Sequence, residues 1–146
     1  MVNIHIINTE SSFYPQVLEL RDAILRKPLG MSLKNDDLSK DKEATIIIAE
    51  NENRVIGCLL LLVVNEKTLQ LRAMAVSEQW QNKGIGSTLV NAAEIYTRTT
   101  GFSNIILHAR KVALGFYEKS GYSILSNEFT EVGIPHYIMG KDIAVK

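Results

Sequence analysis

Across residues 76 to 85 the hydrophobic period of the chain changes from that of strands to that of a helix, and two closely spaced glycines, Gly84 and Gly86, stand at the change. Upstream, TIIIAE, RVIGCLLLLVV and TLQLRAMAV are separated by the short polar turns NEN and NEK, so residues 45–76 are expected to form a three-stranded antiparallel meander. Downstream, Ile85, Leu89, Ala92, Ala93 and Tyr96 fall on one helical face, Glu94 and Arg98 sit four apart on another, and Gly101 closes the helix. NIILHA (104–109) follows as a strand. Strand, glycine-containing turn, helix and strand make a βαβ unit, whose two strands are parallel neighbours joined by a right-handed crossover. The sheet is therefore expected to be mixed, with helices on its faces.

The remaining segments fill in around this unit. Val2, Ile4 and Ile6 alternate as a first strand. Phe13, Val17, Leu20 and Ile24 form the apolar stripe of a helix, which Thr9, Ser11 or Ser12 can cap and Pro28 and Gly30 stop. KNDDLSKDKEA (34–44) is a polar surface loop or short helix. ALGFYEKSG (113–121) predicts a short helix, and YSIL and HYIMGKDI (136–143) the last two strands. The expected class is α/β in the α+β sense: one domain over 1–146, a mostly antiparallel sheet of about seven strands with one parallel pair, and helices on both faces.

Composition narrows the function. Sixteen basic residues balance sixteen acidic ones, so no overall field draws the chain to nucleic acid or anionic membrane. The apolar run from Val55 to Val64 is about half the ~20 residues of a membrane-spanning helix. Cys58 is the only cysteine and reads as a small core residue, and MVNIHIINTESS has no secretion-signal pattern. A cytosolic protein is expected.

A turn leading from a strand into a helix presents the helix's unpaired N–H groups and positive dipole end, which suit an anion. A nucleoside-triphosphate loop needs Lys-Ser or Lys-Thr after its last glycine, whereas Gly86 is followed by Ser87 and Thr88. The dinucleotide fingerprint needs a small third residue where Leu89 stands. Gln81-x-x-Gly84-x-Gly86, LRAMAV just upstream and AxxFYEKSGY (113–122) together resemble the GNAT superfamily of acyl-CoA-dependent N-acyltransferases. The likeness in element order spans nearly the whole chain. The tail EFTEVGIPHYIMGKDI (128–143) is similar to one branch of small bacterial members.

The resemblance implies acetyl-CoA as co-substrate, an amine acceptor, direct transfer without a metal, and a set of site residues. Met74, Ala75 and Val76 are implied to offer backbone groups to the pantetheine arm and thioester. Gln81, Asn82, Lys83, Gly84, Ile85, Gly86, Ser87 and Thr88 are implied to wrap the pyrophosphate. Ala113 and Phe116 would flank the arm, and Tyr117 would face the sulfur as general acid. Arg110 and Lys111 stand near the place of a family asparagine; Arg110 either replaces it or pairs with a phosphate at the adenosine end. For the base, His108, His136 and ordered water stay open, with Glu128 and Glu131 near His136 as orienting or substrate-binding groups. Arg72, read as sharing a strand face with Gln70, Met74 and Val76, is a candidate acceptor contact, as is His136. Arg21 and Arg26 lie well apart around their helix and are read as a solvated face, with an anionic acceptor bound by one of them as the alternative. A non-catalytic acyl-CoA-binding module and a nucleotide-binding regulatory domain are the competing readings, and a homodimer through the last strands is compatible with all three.

Overall fold

A computed structural model describes residues 1–144. Among the described residues eight strands form one sheet: β1 (Asn3–Ile7), β2 (Thr45–Asn51), β3 (Arg54–Val63), β4 (Thr68–Val76), β5 (Asn104–Arg110), β6 (Ser123–Ile124), β7 (Phe129–Glu131) and β8 (Ile134–Asp142). They run in the order β1-β2-β3-β4-β5-β8-β6, with β7 also paired to β8. Only β4 and β5 are parallel; every other pair is antiparallel. The meander is as expected, and β2 turns into β3 through Glu52 and Asn53, both at positive φ, the backbone of a tight hairpin. The strand beyond the expected number is β7, which returns into β8 through Val132 and Gly133 at φ 47° and 77°. His136 lies beyond this turn. It sits within β8, paired with Arg110 on one side and Phe129 on the other, and is buried.

Three helices cover the faces: α1 (Tyr14–Arg21), α2 (Ile85–Thr99) and α3 (Leu114–Lys119). Pro15 occupies the first turn of α1, where its missing N–H costs nothing. That helix continues as a π-helical turn (Asp22–Arg26) and a 3-10 turn (Lys27–Leu29), and left-handed Gly30 ends it. Packing separates the two sides of the sheet. Ile47, Leu59, Leu61, Leu69, Leu71, Ile105 and Leu107 pack beneath Ile85, Leu89 and Ala93 of α2. Ile46, Ile48, Cys58 and Leu60 pack beneath Val17 and Leu20 of α1. Cys58 is a core residue; burial pushes its thiol up to about 12.

Two polar segments differ from their sequence reading. Residues 34–44 lie mostly in 3-10 turns, Leu33–Asn35 and Ser39–Glu43, tied to the first helix by carboxylates. Asp36 takes two bonds from Arg26 (3.0 and 2.8 Å), and buried Asp41 takes one from Arg21 (2.7 Å) and one from the Tyr14 hydroxyl (2.6 Å). Arg21 and Arg26 are thus paired rather than solvated. Glu94 does not share an exposed helix face with Arg98 but turns inward, 7% exposed, and accepts from the Tyr122 hydroxyl and the Lys141 ammonium, each at 3.0 Å. The same ammonium donates to Ser120 O at 2.8 Å, joining α2, β8 and the end of α3.

Candidate active site

The site begins with an irregularity in β4. Cys58 pairs with Ala75 and Leu60 with Arg72, so two steps along β3 face three along β4. This is a β-bulge, and Ala73 within it has a φ of 53°, a left-handed conformation that strains a side chain other than glycine. Past the extra residue the alternation inverts. Leu69 and Leu71 belong to the α2 side, whereas beyond the bulge it is Met74 and Val76 that pack there, with Ala73 and Ala75 on the α1 side. Gln70 and Arg72 therefore do not share a face with Met74 and Val76. The parallel pairing also ends here: Leu71 opposite Leu107 is its last pair, and β4 and β5 part beyond it.

The loop at the end of β4 meets the opening. Gly84 has φ 81° and nothing within 4 Å of where a Cβ would stand, so its role is backbone conformation; Asn82 beside it is also left-handed at 63°. Gly86 is needed for space. A Cβ there would lie 3.2 Å from the Phe116 ring and 3.3 Å from Met74 Cε, so glycine lets the first turn of α2 approach both. No side chain caps α2, leaving its first N–H groups free for an anion. Several of the loop's exposed side chains fold back onto it: Gln81 donates to Val76 O (3.0 Å), Thr88 to Gly84 O (3.0 Å), and the Lys83 ammonium stands 5.4 Å from the Trp80 ring centre. Backbone is what this loop offers to a ligand. Ile85 anchors it in the core and Ser87 sits at its rim.

Where β4 and β5 part, a cavity of about 410 Å³ opens. Tyr117 reaches it from α3, 7% exposed, edge-on to Phe116 and Tyr122 at 5.0 and 5.9 Å. Burial alone pushes its phenol up to about 12, with no charge or hydrogen bond contributing. Tyr14 and Tyr122 are both committed to carboxylates, so Tyr117 is the buried phenol whose proton is uncommitted. Ala113, at the start of α3, lines the same cavity.

Two histidines meet in the cavity wall. His108 Nδ1 lies 2.8 Å from Glu131 Oε1, and its ring is edge-on to Phe129. His136 Nδ1 donates to Ile134 O at 2.9 Å, and its Nε2 is 3.7 Å from the other oxygen of Glu131. Sequence reading put Glu131 near His136 but named His108 apart from them; the β7–β8 hairpin, with β8 paired to β5, is what joins all three. Glu128 lies apart, bonded to Tyr137 (3.2 Å) and Lys111 (3.3 Å). Arg110 alternates with Ala109, which belongs to the α2 side, so its guanidinium lies on the opposite face and donates to Leu25 O at 2.9 Å. It reaches the end of the first helix, away from the face that carries the glycine loop.

The family model described as the acetyltransferase (GNAT) family matches residues 7–122. The chain belongs to the GNAT acetyltransferase family. As a GNAT enzyme it is an acetyl-CoA-dependent acyltransferase. It is similar to the uncharacterized Bacillus subtilis protein YyaT, 29% identical over 146 residues that span 98% of this chain and 97% of the relative. Among solved structures it resembles Escherichia coli ElaA, with a TM-score of 0.84 at 18% identity over 97% of this chain and 100% of that one. It also resembles a GNAT family acetyltransferase from Elizabethkingia anophelis solved with acetyl-CoA bound, with a TM-score of 0.72 at 18% identity over 97% of both chains.

Proposed function

We propose that this GNAT enzyme transfers an acetyl group from acetyl-CoA to a primary amine by direct attack, with Tyr117 as general acid and His108, oriented by Glu131, as general base. The observation that carries this reading is the parting of β4 from β5 between the uncapped start of α2 and a cavity holding an uncommitted phenol. The N–H groups of Gly84 to Ser87 would hold the pyrophosphate, and Phe116 and Met74, drawn close to the start of α2 by Gly86, would flank the pantetheine arm. Backbone of Met74 to Val76, unpaired with β5, would align the thioester carbonyl. One N–H placed on the tetrahedral oxyanion contributes ~3 kcal/mol. As the C–S bond breaks, Tyr117 gives its proton to the departing thiolate.

The amine's proton goes to His108. If Glu131 accepts from Nδ1–H, Nε2 is left as the free lone pair. His136 is the weaker candidate because it is almost fully enclosed and already bonded to its own strand.

Acetyl-CoA at a hundred times its dissociation constant should stabilise the protein by ~2.7 kcal/mol in a thermal-shift assay, and ATP should not. No shift with acetyl-CoA would remove the reading. His108→Gln should lower kcat on the order of tenfold, since water also takes part of the proton traffic, and Glu131→Gln less. Unchanged turnover in His108→Gln would hand the base role to water alone.

A further inference from the structure

Four arginines line the cavity, and their partners divide them into two kinds. Arg21 and Arg26 are neutralised by Asp41 and Asp36. Among the described residues, Arg72 and Arg110 have no carboxylate partner. Arg110 uses one N–H on Leu25 O, so most of its ~5 donors remain. Glu131 is near enough for its charge to act on Arg110, but its oxygens are turned to the two histidines. The same wall holds Arg21, whose buried Nε has no acceptor. Arg72 follows Leu71, the last β4 residue paired with β5, and lies on the α1 side, as His108 and Arg110 do; its charge acts on Asp36, which is bonded to Arg26.

Arg110 is half-buried, feels the charge of Arg26, and has no carboxylate bonded to it, so an anion supplied by a ligand would be favoured there. Pantetheine and thioester carry none. Resting on the acyl-transfer reading above, we propose that the acceptor is an amine that also bears a carboxylate, which Arg110 binds together with Arg72 while the amino group faces His108. Planar guanidinium groups match a carboxylate through paired N–H bonds. A cavity of about 410 Å³ suits a small molecule of amino-acid type.

Matched amines test this: β-alanine against β-alaninamide and lysine against lysinamide, which differ only in the carboxylate. Wild-type enzyme should favour the carboxylate member by about tenfold or more in kcat/KM, mostly through KM. In Arg110→Gln that ratio should fall to near unity, and Arg110→Lys should restore part of it. An equal or reversed preference in the wild type, or a ratio unmoved by Arg110→Gln, would overturn the proposal while leaving acyl transfer standing. Glutarate, a dicarboxylate with no amine, gives a readout independent of transfer. A thermal shift with glutarate that Arg110→Gln abolishes supports the anion site even if no amine is acetylated. Absence of that shift, in protein that still responds to acetyl-CoA, counts against it.

Discussion

Replacing Tyr117 by phenylalanine should lower kcat by about a hundredfold while leaving the acetyl-CoA dissociation constant within roughly twofold, because only the proton donor is removed. The ring would keep its edge-on contacts with Phe116 and Tyr122, so the fold should be undisturbed. Burial holds the phenol protonated: its ordinary value of 10.0 is raised to about 12, so the acid is fully available at neutral pH and is lost only as pH rises through the alkaline range. A coenzyme A thiolate is already a fair leaving group, and the expected loss therefore lies at the low end of general acid catalysis. Turnover assays and acetyl-CoA titrations on the same preparation separate the two quantities. Equal loss of binding and turnover would show Tyr117 to be a packing residue instead.

Glu94→Ala should destabilise the protein by about 3 kcal/mol, the lower part of the range for breaking a buried charge pair, since Lys141 retains some access to water. For a chain of this length that is roughly 10 °C in Tm. Glu94→Gln, which keeps an acceptor for the Tyr122 hydroxyl, should cost about 1 kcal/mol. Tyr122 packs against Tyr117, and Lys141 also holds Ser120 at the end of α3, so the alanine variant should additionally lose activity below its unfolding temperature. Thermal denaturation with activity measured well below Tm checks both parts.

Much of the donor half of the site was legible in the sequence because its signals are local. Gly84 and Gly86 lie between a strand and a helix that can each be read from periodicity, and the ALGFYEKSG segment brings Phe116 to the same place through one short helix. The other half depends on partners far apart in the chain. Glu94 looked like half of an exposed pair with Arg98 because Lys141, 47 residues away, cannot be foreseen from helical spacing. Asp36 and Asp41 were hidden in a polar stretch whose composition reads as surface, until Arg26 and Arg21 are found beside them. The one available signal for the His108–Glu131–His136 group was Val132-Gly133, a two-residue turn that folds β7 back onto β8. Strict alternation misplaced Arg72, because a bulge at Ala73 leaves no mark in a run where no glycine announces it.

That bulge divides one strand into two independently adjustable segments. Ahead of Ala73 it is Gln70 and Arg72 that face the α1 side, and after it Met74 and Val76 face the α2 side, so exchanging Gln70 or Arg72 changes the α1 face without shifting Met74, Val76 or the glycine loop. Deleting a single residue at the bulge would undo this by bringing both segments back into phase.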